Sequence, residues 1–91
     1  MNNEEKLVTL FKAIAYLDSP QQAAAFLTDL CTPQELTALA DRWLVVVKLT
    51  EGRSYREISL LTGASTTTIT RIARCLHLGT GGYQHMLEKM A

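Results

Sequence analysis

The stretch Ser54-Tyr55-Arg56-Glu57-Ile58-Ser59-Leu60-Leu61-Thr62-Gly63-Ala64-Ser65-Thr66-Thr67-Thr68-Ile69-Thr70-Arg71-Ile72-Ala73-Arg74-Cys75-Leu76 decides the fold. Ser54 with Glu57 three residues on has the spacing of a helix-opening capping box. Thr62-Gly63-Ala64 then turns the chain, and Ser65 suits the N-cap of a further helix. The stretch therefore predicts a short helix to about Leu61, a tight turn, and a longer helix to about Leu76. That is the layout of a helix-turn-helix over about residues 54–76. Gly63 can adopt the left-handed backbone of such a turn without a Cβ penalty. Small Ser59 is expected where the two helices cross closely. Ile58, Leu61, Ile69, Ile72 and Leu76 are expected to point inward and clamp the pair.

Helical periodicity separates two faces of the second helix. Ile72, Ala73 and Leu76 fall within about 60° of Ile69, whereas Thr67, Thr70, Arg71 and Arg74 fall on the other side. Short hydroxyls at the helix start, followed by arginines, suit a helix entering a major groove by its N-terminal end. Ser65, Thr66, Thr67 and Thr70 are the expected contacts to base edges or nearby phosphates. Arg71 and Arg74 are expected on phosphate or guanine, with Arg53 and Arg56 on flanking phosphates. Three threonines in a row at 66–68 are poor helix formers, so their presence costs local propensity.

Outward from this stretch, nearly every segment reads as helix. Leu7, Leu10, Phe11, Ile14 and Leu17 form one apolar stripe of a helix from about Glu4 to Leu17. Ser19-Pro20 opens a second helix to about Leu30, with Ser19 as N-cap and Pro20 in the first helical position. Thr32-Pro33-Gln34-Glu35 is another capping box and opens the longest helix, to about Thr50, with Gly52 just beyond its end. In the distal half of that helix Leu44, Val45, Val46 and Leu49 leave almost no wet face. A sixth helix is expected from about Gly82 to Met90, after the hinge Gly79-Thr80-Gly81-Gly82. The reading is an all-α single domain, 1–91, of about six helices with no internal linker.

Composition sets the bounds on partners. Ninety-one residues make one small domain, yet 47% are hydrophobic and 20% charged. Such an apolar supply points to cover by a second subunit. Nine basic and nine acidic residues cancel. They are unevenly placed: residues 1–51 hold seven acids and four bases, and 52–91 hold five bases and two acids. The basic half contains the helix-turn-helix, a distribution associated with a nucleic-acid face. The longest apolar run, Trp43 to Val47, falls far short of the roughly 20 residues of a membrane span. With no secretory pattern at the start and two cysteines that form no framework, a cytoplasmic protein with reduced thiols is expected.

An enzyme is not expected, because no nucleophile–base spacing or paired-carboxylate motif occurs. The Gly79–Gly82 segment lacks the strand before and the Lys-Ser/Thr after it that a phosphate loop requires. Cys75, His77 and His85 fit no zinc spacing, so Cys75 is expected buried and the histidines solvated. Cys31 reads as a small core residue, and Trp43 as core or subunit interface. The function indicated is a dimeric DNA-binding regulator; the alternative is an all-α dimeric protein-interaction module without DNA binding.

From Leu30-Cys31-Thr32-Pro33-Gln34-Glu35 to Leu76 the chain resembles the tryptophan repressor superfamily, and within it the TrpR-like YerC/YecD branch of Gram-positive bacteria. The resemblance rests on Thr32-Pro33, Leu39-Ala40-Asp41-Arg42, Glu51-Gly52, Ser54-Tyr55-Arg56-Glu57-Ile58 and, most specifically, Gly63-Ala64-Ser65 with Ile69-Thr70-Arg71. In that branch Asp18–Leu30 and Gly79–Tyr83 are also similar. The resemblance implies an intertwined homodimer with two heads on a double-stranded DNA operator, acting as a transcriptional repressor. It also implies a ligand pocket, since the repressor's two tryptophan-binding arginines match Arg42 and Arg71. Two positions depart from the family: a glycine after the second arginine is here Ile72, and a leucine three residues before the helix-opening threonine is here Asp29. Ile72 occupies space an indole needs, and Asp29 at the pocket rim would oppose the ligand carboxylate, pairing with the ligand ammonium being the alternative. Tryptophan is therefore not expected as corepressor, and no cofactor is expected.

Overall fold

A computed structural model describes residues 1–91 as six α-helices and no strand: α1 Asn3–Ala15, α2 Pro20–Leu30, α3 Pro33–Thr50, α4 Tyr55–Thr62, α5 Thr66–Leu78 and α6 Gly82–Met90. The all-α, six-helix expectation is met, and the helix starts explain why. The Asn2 side chain accepts from the Glu5 N–H, Ser19 from Gln22, Ser54 from Glu57 and Ser65 from Thr68. Each bond satisfies one of the N–H groups that a helix start leaves unpaired. Before α3 the capping box is reciprocal: Glu35 N–H donates to Thr32 Oγ1 at 3.1 Å, and Thr32 N–H to Glu35 Oε1 at 2.8 Å. The Thr32 N–H, with the Thr32 hydroxyl adding to it, holds the Glu35 carboxyl below its ordinary pKa.

The stops are equally local. Gly52 adopts φ 79°, and its N–H bonds Leu49 O while the Arg53 N–H bonds Lys48 O. This pair of bonds closes α3 as a Schellman motif. The first helix stops two residues earlier than expected. Tyr16 and Leu17 donate to Ala13 and Ile14 in tightened i−3 turns, and Gln22 reaches back to the Asp18 N–H.

The chain divides into two compact units, Met1–Leu36 and Thr37–Ala91. In the first, neither α1 nor α2 buries a single residue. Phe11, in the middle of the α1 stripe, is 60% exposed, and Leu7 and Ile14 are exposed beside it. Cys31 is the C-cap of α2 and half-buried rather than a core residue.

The second unit holds the whole core: Val45 and Val46 of α3, Ile58 of α4, and Ile69, Ile72 and Leu76 of α5. Trp43, Leu49, Ala64, Tyr83 and Leu87 pack against it. The sequence expectation for α3 holds at Val45 and Val46, while Leu39 and Leu44 remain exposed. Two inward assignments fail. Leu61 is 55% exposed, because the inner side of α4 runs through Ile58, Ser59 and Thr62. Cys75 is exposed, because the α5 core stripe passes through Ile72, Ala73 and Leu76 and leaves it outside. No helix is long and apolar enough to cross a membrane.

Candidate nucleic-acid interface

The helix-turn-helix is built by two hydroxyls, of Ser59 and Thr62, that the sequence pattern places only loosely. Gly63 closes α4 in the left-handed conformation, φ 76°. Ser59 does not serve merely as a small residue at a crossing. Its Oγ donates to Ala64 O at 2.6 Å, binding α4 to the turn. Thr62 Oγ1 donates to Ile58 O at 2.8 Å and accepts the Ala64 N–H at 3.1 Å. The turn's polar groups are thus satisfied internally, which fixes the direction in which α5 leaves it. Below, Ile58 and Ile69 are fully buried and lock α4 on α5. The second capping box is only half formed. Glu57 N–H donates to Ser54 Oγ, but the Glu57 carboxylate accepts from the Ser54 hydroxyl rather than the Ser54 N–H.

On this frame α5 presents Thr66, Thr67, Thr70, Arg71 and Arg74 outward, all exposed. The side chains differ in what they have available. Ser65 Oγ accepts the Thr68 N–H and donates to Thr68 Oγ1, so its hydroxyl is engaged in the cap. Thr70 Oγ1 donates to Thr66 O at 2.8 Å. Its hydrogen is in use, and only its lone pairs face outward. Thr66 and Thr67 keep hydroxyls with no protein partner.

The arginines divide in the same way. Arg53 is held by Glu51 at 3.6 Å and Glu57 at 3.5 Å. Arg56, Arg71 and Arg74 pair with no carboxylate, the other ion pair of the protein being Lys48–Glu51. The electropositive part of the face is therefore α5 and the start of α4, and Arg53 is partly neutralised. Sequence spacing brings the residues to one surface but does not show which of them are already occupied.

Behind this face, Arg42 and Arg71 line one cleft of about 170 Å³ together with Thr68, Ile72, Cys75 and Tyr83. An adjoining cleft of about 210 Å³ is lined by Asp41, Arg42, Gly63, Ala64, Thr68 and Ile72, among others. The two arginines singled out by the family resemblance do come together. Ile72, which lines both clefts, is 5% exposed and belongs to the core. Asp29 is an exposed residue of α2 in the other unit. Trp43 is half-buried and faces Tyr83, ring centroids 6.3 Å apart and tilted by 42°. The feature that sequence reading missed is a bond from α6: Gln84 Nε2 donates to Leu76 O at 2.9 Å. Nothing in the sequence pattern marks it, because Gln84 looks like any solvated helix residue.

Comparison with known proteins agrees with this geometry. Residues 5–91 match the family described as Trp repressor protein. The chain is 40% identical over 86 residues to the uncharacterized protein YerC of Bacillus subtilis, covering 94% of this chain and 83% of that one. Among solved structures, a TrpR-like protein from Eubacterium eligens superimposes with a TM-score of 0.87 at 38% identity, over 98% of this chain and 95% of its own. A candidate Trp repressor from Staphylococcus aureus gives 0.84 at 35% identity, over 99% and 95%. Matched to that family over nearly its whole length and alike in fold to these structures, the chain belongs to the Trp repressor family.

Proposed function

We propose that the protein is a cytoplasmic, sequence-specific DNA-binding transcriptional regulator, a repressor that acts as a homodimer on a double-stranded operator. The observation that carries this reading is the outer face of α5. Free hydroxyls of Thr66 and Thr67 stand at its start, and unpaired Arg71 and Arg74 stand one to two turns on. The same helix is anchored by Ile69, Ile72 and Leu76. A polar, cationic edge on a rigidly held helix is what base readout and phosphate contact both need. In this role α5 enters the major groove with Thr66 and Thr67 toward base edges. Arg71, Arg74 and Arg56 lie toward phosphates, and α4 braces the backbone. Ser65, Thr70 and Arg53 contribute less, because their donors are already engaged. Homodimerisation is supported by the uncovered stripe Leu7, Phe11 and Ile14 of α1 and by exposed Leu39 and Leu44 of α3.

Tryptophan is not the corepressor in this proposal, although Arg42 and Arg71 share a cleft. Ile72 fills space that a glycine would leave open. With that volume filled by the chain itself, DNA binding needs no added tryptophan.

A second reading, a protein-interaction module, is favoured by Leu60 and Leu61, which α4 leaves 81% and 55% exposed. Recovery of genomic fragments on the immobilised protein, followed by sequencing, separates the two. A shared sequence element among the fragments supports the DNA reading; unselective recovery, or none, opposes it.

A further inference from the structure

The last turn of α5 carries a demand that α5 cannot meet itself. Carbonyls at a helix end lack the N–H groups of a following turn and need other donors. Cys75 O receives the Gly79 N–H at 2.9 Å. At Gly79 the chain turns so closely that a Cβ would collide with that same Cys75 carbonyl. The helix stops there, so the next carbonyl, Leu76 O, loses its helical partner. It is satisfied from α6, where Gln84 Nε2 donates to it at 2.9 Å. A carbonyl can only accept, so the amide nitrogen, not the amide oxygen, must face it. This is the one hydrogen bond by which a side chain of one helix holds the backbone of another.

The bond does not act in isolation. Tyr83, the neighbour of Gln84, packs on the core and faces Trp43 of α3, and Leu87 packs one turn further on. Leu76 itself is 7% exposed and belongs to the core stripe of α5. So α6 is seated on the core by Tyr83 and Leu87, and from that seat Gln84 grips the far end of the helix whose near end carries Thr66 and Thr67.

Resting on the DNA reading of α5, we propose that Gln84 is a positioning residue for sequence readout: it fixes the axis and register of α5 from the end opposite the bases. Base-edge hydrogen bonds require placement within a few tenths of an ångström, whereas phosphate attraction tolerates displacement. Loss of the grip therefore lowers specific affinity and leaves non-specific affinity in place.

The test compares wild-type protein with Gln84→Met, which keeps length but cannot donate, and with Gln84→Lys, which restores a donor of sufficient reach. Each is titrated with a duplex recovered from the genomic fragments and with its shuffled counterpart. Amide hydrogen exchange of Cys75–Leu78 is followed in the free protein. In Gln84→Met the specific-to-non-specific ratio falls about five- to tenfold, as expected for one lost hydrogen bond. Exchange in the last turn of α5 quickens, and Gln84→Lys recovers most of the ratio. An unchanged ratio in folded Gln84→Met, or a Gln84→Lys no better than Gln84→Met, overturns the assignment while the DNA reading stands. Wild-type protein with no preference for any duplex instead removes the DNA reading, and this role with it.

Discussion

Thr67 and Thr70 stand one turn apart on the outer face of α5, yet only one of them has a hydroxyl hydrogen to offer. Thr70 donates to Thr66 O, and Thr67 has no protein partner. Thr67→Ala is therefore expected to change which duplex is preferred, with a loss of about 0.5–1.5 kcal/mol at the base it reads, as for one hydrogen bond. Thr70→Ala has a smaller effect on preference. Arg74→Ala weakens binding to every duplex alike and lowers the salt slope by about one. Arg53→Ala, by contrast, has less effect, since Glu51 and Glu57 already hold that guanidinium. Competition titrations at several salt concentrations check all four. Equal loss of specific and non-specific binding in Thr67→Ala would count against a base contact there. The faces of α5 were legible from its period alone. The occupancy of each side chain was not, because it depends on which oxygen or carboxylate lies within 3–4 Å. Cys75, expected buried as a free thiol, lies about 120° from Ile69 by that same period and is outside; Leu61 was misplaced for a different reason. A one-residue uncertainty in which stripe meets the core is about 100° around a helix, and only the packing resolves it.

At the level of the element, the starts and stops of the helices were the most legible part of the chain. Short-range hydrogen bonds determine them, and the residues that make those bonds lie three or four apart in the sequence. The α3 box formed as its spacing implied. The α4 box formed by half, because the Glu57 carboxylate is shared between the Ser54 hydroxyl and Arg53. The box before α3 also carries a pH signature. Glu35 is held below its ordinary pKa by Thr32. Its stabilising bond is therefore present above the unfolded-state pKa and is lost as pH falls through the lower folded-state value. Glu35→Gln is expected to remove that part of the acid dependence; thermal melts between pH 3 and about pH 6 of the two proteins check this, and superimposable pH dependences would contradict it. Gly63 offers a second test. An alanine Cβ there meets no atom within 4 Å, so Gly63→Ala suffers only from the φ of 76°. A cost of about 1–2 kcal/mol follows from the left-handed backbone, measurable by denaturant titration.

On the scale of the whole molecule, the apolar excess of the sequence finds its counterpart in surface rather than core. The buried cluster is confined to the second unit, and α1 and α2 bury nothing. The sequence made that excess legible but not its location, since periodicity gives the stripe of α1 without saying what lies against it. For the proposed homodimer, sedimentation at micromolar concentration gives about twice the 10.1 kDa of one chain. Phe11→Asp, placed in the centre of the exposed stripe, shifts the protein toward monomer and weakens operator binding with it. A wild-type monomer at these concentrations contradicts the two-headed arrangement.

The central claim, that the outer face of α5 reads DNA sequence, is tested most directly by one titration. Wild-type protein, without tryptophan, is titrated against a duplex recovered from genomic fragments and against its shuffled form over a range of salt. A protein reading bases prefers the recovered duplex by at least about a thousandfold. Both affinities fall steeply with salt, the logarithm by about 0.9 per phosphate contact for each unit of log salt. Equal affinity for the two duplexes, or an affinity indifferent to salt, contradicts it.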